Sequence, residues 1–208
     1  MTNFQFLQNG PDNATGTVLL AHGAGAPMDS PFLTTIAKQL GEKKKRILRF
    51  EFPYMQMRRV DGRRRPPNPT KILIEHWKTI IDAIDSTKKI VIGGKSLGGR
   101  VASMIVDESI ASGLICLGYP FHPPGKPHKQ RVEHLATLQT PTLILQGERD
   151  PLGSYKEVEK YNLSPAVRVH WLADGDHSFQ PRKKSGKTEK NNLDEAILQI
   201  LAFLEQLN

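Results

Sequence analysis

"KKIVIGGKSLGGRVA" (residues 88–102) is the stretch on which the fold turns. It opens on a β-branched apolar run and passes into a segment with Leu97, Val101, Met104 and Ile105 at helical spacing. The turn between them carries two overlapping patterns. "GGKS" has the ending of a phosphate-binding loop, where four residues separate a first glycine from Gly-Lys-Ser/Thr so that backbone N–H groups can wrap round the phosphates. "GKSLG" fits Gly-x-Ser-x-Gly, the turn that exposes a nucleophilic serine between a strand and a helix. Spacing separates the two. The phosphate loop needs glycine at position 89, and Lys89 stands there, inside the strand. A dinucleotide fingerprint at "GAGAPM" (23–28) fails as well, because Met28 occupies its third glycine position. Ser96 is therefore read as a nucleophile, with an ordinary helix N-cap as its structural alternative. Gly94 and Gly98 leave room for the tight turn, and the helix N-terminus favours negative charge near the serine oxygen.

A nucleophilic serine needs a base, and the base needs an orienting acid. On a sheet of this kind they follow in the order Ser, Asp/Glu, His, on loops after later strands. Asp150 in "GERDP" follows the apolar run "TLILQG", and His177 in "DGDHSF" follows "VRVHWL". Glu148 competes with Asp150. His22, His122, His128 and His170 compete with His177, although His170 lies within a strand and His22, in "AHGAGA", reads as a support for loop backbone. The oxyanion hole needs two N–H donors. Leu97 supplies one by position, and the small-residue turn "HGAGAP" supplies the other, from Ala24 first and Gly25 second.

Working outward, "GTVLLAHG" (16–23), "RILRFEFP" (46–53), "KKIVIGG" (88–94), "GLICLGYP" (113–120), "TPTLILQG" (140–147) and "AVRVHWLA" (166–173) read as strands, continuously apolar as expected when both faces are covered. "FQFLQ" adds an edge strand. Amphipathic segments lie between them, with Ser30-Pro31 opening one and Asn192 expected to cap the last. The alternation predicts an α/β fold: three layers, a mostly parallel sheet of six or seven strands, helices on both faces and no cap domain. Two long loops are expected, at 54–69 and 121–131.

The chain has 208 residues, enough for one domain, 1–208, with one sizeable core. The lone Cys116 suits a reducing compartment, and neither the start "MTNFQFLQNG" nor any long apolar run reads as a leader or a membrane span, so the expected location is cytoplasmic. The net charge is +8, with basic clusters in "EKKKR", "RRVDGRRR", "KPHKQR" and "PRKKSGK". They sit in separate loops and at helix ends without any zinc-finger, basic-zipper or aromatic RNA-binding signature, which favours a solvated surface over a nucleic-acid face.

Taken together, the residues resemble the α/β-hydrolase superfamily. The stretches "LLAHGAGAPMDSPF", "FPYM" with "RRRPP", "GGKSLGGR", "LGYPFHPPGKP", "LQGERDP" and "GDHSF" are similar to a small branch of it, which includes the testis-expressed hydrolase-like protein and a subunit of the nonspecific-lethal acetyltransferase complex. The resemblance implies the hydrolase fold and a triad at Ser96, Asp150 and His177. It implies no substrate.

The expected activity is hydrolysis of an ester, thioester or related small acyl compound, with no metal and no organic cofactor. Arg58, Arg59, Arg63, Arg64 and Arg65 follow a strand on the same sheet edge, where they either meet an anionic substrate or pin a surface loop. Tyr119, Phe121 and His122 either line an acyl pocket or pack their loop. Lys95 and Arg100 have no role in a generic triad. The competing expectation is a non-catalytic binding module that uses the basic surface for a protein or nucleic-acid partner.

Overall fold

Alternation of apolar runs and amphipathic segments builds one sheet with helices against both faces in the computed structural model, which describes residues 4–84 and 87–207. Met1, Thr2 and Asn3, the first residues of the stretch read for a leader, lie outside the described residues. All six apolar runs are strands: β2 (Gly16–Ala21), β3 (Arg46–Phe50), β4 (Lys89–Lys95), β5 (Gly113–Leu117), β6 (Thr142–Gly147) and β7 (Val167–Leu172), with β1 (Leu7–Asn9) at the edge. The order is β1-β3-β2-β4-β5-β6-β7, parallel throughout except that β1 runs antiparallel to β3.

Side chains leave a strand on alternate sides, and both sides here are apolar. Leu19, Leu48, Ile90, Ile92, Leu114, Cys116 and Ile144 face a core shared with Leu73, Trp77 and Ile80 of α3 (Thr70–Asp82) and Val101 of α4 (Leu97–Ser103). Val18, Leu20, Ile47, Val91, Ile115 and Leu143 face the other core, built with Leu33 and Ile36 of α1 (Pro31–Glu42) and Leu193, Ile197 and Ile200 of α5 (Glu189–Gln206). β7 departs from the expected fully covered strand: as an edge strand it leaves Arg168 exposed and most of its other residues half-buried. The β5–β6 connection carries only a single 3₁₀ turn, Glu133–Ala136, so nothing caps the sheet.

Two expectations are corrected. The first long loop is helical at its start. Pro53–Asp61 forms α2, opened by Pro53 in the first turn, closed by Gly62 in the left-handed conformation (φ 70°), and anchored by buried Tyr54 and Met55. The last helix begins three residues before Asn192. Thr188 is its cap, accepting from the Asn191 N–H, while Asn192 is buried and its side chain donates to the Ala173 and Phe179 carbonyls at 3.1 and 2.7 Å.

From β2 the chain moves to β3 on one side, and from β4 to β5 on the other. The carboxyl ends of β2 and β4 therefore flank the crevice that a doubly wound sheet opens at its switch point.

Candidate active site

Ser96 sits at that crevice, between the end of β4 and the start of α4, at φ 50° and ψ −111°. A non-glycine residue at positive φ is strained and needs its surroundings to hold it there. Its N–H donates to the Leu117 carbonyl at 3.0 Å, and its own carbonyl accepts from Arg100 N–H at 3.0 Å. The flanking glycines are required by close approach: a Cβ on Gly94 or Gly98 would lie 2.2 or 2.5 Å from the Ala21 carbonyl oxygen of β2. Ser96 has no side-chain capping bond, so the N-cap alternative does not describe its hydroxyl.

That hydroxyl lies 2.9 Å from His177 Nε2, and His177 Nδ1 lies 2.7 Å from Asp150 Oδ2. The aspartate comes from the turn after β6 and the histidine from the turn after β7, as strand order anticipates. The Asp150 side chain has no solvent exposure, whereas His177 keeps 25%. A buried carboxylate needs donors, and Asp150 has two besides the imidazole: Leu152 N–H on Oδ1 and Gln146 Nε2 on Oδ2, each at 2.8 Å. With Asp150 accepting at Nδ1, the imidazole proton sits on Nδ1, and Nε2 is left to accept from the serine. Glu148 is engaged elsewhere, accepting from the Asp174 N–H at 2.7 Å.

Gln146 escaped the sequence reading. Besides Asp150 it accepts from Tyr119 N–H at 2.7 Å and donates to the Tyr119 and Gly153 carbonyls, each at 3.1 Å, tying the ends of β5 and β6 to the acid. The available signal was a glutamine inside the apolar run "LILQG", a polar group that burial obliges to find partners.

A second serine–histidine contact, Ser103 Oγ to His134 Nε2 at 2.8 Å, has a different character. Ser103 donates back to the Arg100 carbonyl within α4 at 2.7 Å, so His134 must be the donor to it. No carboxylate bonds to His134 among the described residues. A hydroxyl that receives the histidine's proton cannot be deprotonated by it.

The β2 loop closes the crevice opposite Ser96. His22 is buried, with Nδ1 2.6 Å from the Gly23 carbonyl and Nε2 accepting from Phe52 N–H at 3.1 Å, which fixes its neutral Nδ1–H form. Burial lowers its pKa in the same direction. Tyr54 Oη donates to the Gly23 and Ala24 carbonyls at 3.3 and 3.0 Å. Because C=O and N–H point oppositely across a trans peptide, the N–H groups of Ala24 and Gly25 face away from Tyr54. Both residues are exposed. Leu97, as the first residue of α4, has an N–H with no acceptor inside the helix.

A sequence profile of the alpha/beta hydrolase domain matches residues 14–205. The chain belongs to this alpha/beta hydrolase family. Among solved structures, a dienelactone hydrolase from Anabaena variabilis is similar at TM-score 0.71 and 21% identity, over 95% of this chain and 90% of that one. An alpha-beta serine hydrolase homologue from Coxiella burnetii gives 0.69 and 19%, over 98% and 91%. A serine hydrolase without a lid from Xanthomonas campestris gives 0.66 and 15%, over 97% and 88%. These likenesses carry the fold, and this alpha/beta hydrolase, like the Xanthomonas structure, has no cap over its sheet among the described residues.

Of the remaining expected site residues of this hydrolase domain, Arg58 alone is bonded to the Ala24–Gly25 turn that closes the crevice. Tyr119 and Phe121 are fully buried against each other, ring centroids 4.8 Å apart, and His122 is buried beside Glu157. They take the packing alternative, because the 121–131 loop folds its aromatic start inward and holds it with Arg131 N–H on the Phe121 carbonyl. Arg59 is bound by Glu51 at 2.6 Å and Asp29 at 2.7 Å, and Arg65 pairs with Asp61, so these two pin backbone. Arg58 donates to the Gly25 carbonyl at 3.3 Å, and Arg63 and Arg64 are exposed. No described helix is long and apolar enough to cross a membrane.

Proposed function

We propose that the chain is a serine hydrolase acting on small esters, thioesters or related acyl compounds, working as one domain over 1–208. The observation that carries this reading is the continuous hydrogen-bonded chain from Asp150 through His177 to the Ser96 hydroxyl, at 2.7 and 2.9 Å. His177 Nε2 takes the hydroxyl proton as the serine oxygen attacks the acyl carbonyl carbon. The oxyanion is met by the Leu97 amide and by Ala24 or Gly25. Collapse expels the leaving group, which takes the proton from His177, and leaves an acyl-serine. Water then attacks, His177 receives its proton, and the acid departs as Ser96 regains a hydrogen. Asp150 orients the imidazole and balances the charge that forms on it. The chain's own residues supply every proton position in this scheme.

The long stretches shared with the branch of the testis-expressed hydrolase-like protein favour membership of that branch, and the buried lone Cys116 suits work in a reducing compartment. The test is labelling with a fluorophosphonate probe. Folded protein is expected to label at one serine, and Ser96→Ala to abolish both labelling and hydrolysis of a short-chain aryl ester, by about 10⁴-fold or more. Unlabelled protein, or equal labelling of the alanine variant, refutes the reading.

A further inference from the structure

Lys95 is the part of the strand–turn–helix motif that serine chemistry leaves unused. It ends β4, immediately before the nucleophile, and it is half-buried. Nζ donates to the backbone carbonyl of His177 at 2.7 Å and lies 5.4 Å from the centroid of the Phe32 ring on α1. The end of β5 is shaped around it. Gly118 takes φ 68°, and a Cβ there would stand 3.0 Å from Lys95 Nζ and 2.7 Å from the His177 carbonyl oxygen. The neighbouring β2 loop presents Gly23, without charge, against the lysine stem. The charged groups that face the ammonium are Asp150 after β6 and Asp176 after β7, beside His177 itself. Burial outweighs their attraction and brings its pKa down to about 8, so it is charged through the neutral and acid range.

We propose that Lys95 is a positioning residue: it clamps the His177 backbone so that the imidazole meets Ser96. This inference rests on the serine-hydrolase reading. The clamp acts at the carbonyl of the same residue whose ring transfers the proton, so a slack lysine displaces the base relative to the hydroxyl.

The experiment compares labelling rates of wild type, Lys95→Met, Lys95→Arg and Ser96→Ala with one small neutral fluorophosphonate at pH 7, each protein checked for folding by circular dichroism. Lys95→Met is expected to label at least about tenfold more slowly, as expected for loss of a charge-assisted bond. Lys95→Arg keeps a charged donor and should recover most of that rate. Lys95→Met at the wild-type rate overturns the proposal, as does Lys95→Arg that labels as slowly as Lys95→Met. If Lys95→Met does not fold, Lys95→Gln, which keeps a neutral donor, takes its place and should still label more slowly than wild type; the wild-type rate there overturns the proposal. Wild type that does not label, or Ser96→Ala that does, defeats the serine reading and takes this inference with it, an outcome distinct from every one that concerns Lys95 alone.

Discussion

Gln146 shows how an acid in a sheet protein is made reliable. Its amide satisfies one Asp150 oxygen and both backbone groups of Tyr119, so the carboxylate is held by the same side chain that joins β5 to β6. Gln146→Leu keeps the volume roughly but leaves the Tyr119 N–H and one lone pair of Asp150 unpaired, at a cost of about 1–3 kcal/mol for each buried group. The expected result is a lower unfolding midpoint together with a fall of kcat on a short-chain ester. Ser103→Ala, by contrast, removes the other serine–histidine contact and should leave fluorophosphonate labelling at the wild-type rate. Loss of labelling there would move the nucleophile away from Ser96. That Ser96, Asp150 and His177 come together was legible, because the sequence places each just after a strand and parallel strands end on one edge. Gln146 and Lys95 were not, because their roles come from burial and from neighbours 27 and 82 residues away in the chain.

Among elements, α2 is where pattern reading failed, and the reason is physical. A segment as polar as "PYMQMRRVD" carries little apolar periodicity, and two buried residues anchor it. It is held by ends and by side chains: Pro53 at the start, Gly62 at the stop, and Arg59 bridging back to Glu51 and Asp29. The longer helices and the central strands, which bury continuous apolar stripes, were read with their type and approximate limits. Glu51 is 2% exposed as a side chain and also accepts from Met28 N–H at 3.1 Å, so the Arg59 pair fixes the loop after β2. Removing the arginine leaves a buried carboxylate short of partners. Because Arg59 itself is 39% exposed, the loss on Arg59→Ala is discounted to about 1–3 kcal/mol. Denaturant unfolding should record that loss. Labelling of Ser96 should slow as well, since the same loop carries the Ala24 and Gly25 amides. A stable variant that labels normally would separate α2 from the site.

Over the whole molecule, titration should give stability a maximum set by groups that burial holds in their neutral forms. His22, His76 and His134 all have pKa values lowered from 6.5, with desolvation as the largest cause in each. A histidine with a depressed folded pKa binds its proton more readily in the unfolded chain, so stability rises with pH and is lost as pH falls below 6.5. His22 is the most deeply buried of the three, and the half-buried His76 and His134 contribute less each because solvent screens them. On the alkaline side the signs are mixed. Lys95, brought down to about 8, again favours the folded state as pH rises towards 10.5. Burial raises Cys116, Tyr54 and Tyr119 above 9.0, 10.0 and 10.0, so the unfolded chain releases those protons first and stability falls. The Lys95 gain begins near pH 8 and the three losses only as pH passes 9 and 10, so they offset it late. The urea midpoint should therefore be lower at pH 5.5 than at pH 7.5. His22→Gln should flatten the acid side while lowering stability at pH 7.5, because the bond to Phe52 N–H goes with it. An acid side of the same steepness in that variant would show that His22 takes up its proton in the folded state, and that its neutral form does not hold the β2 loop.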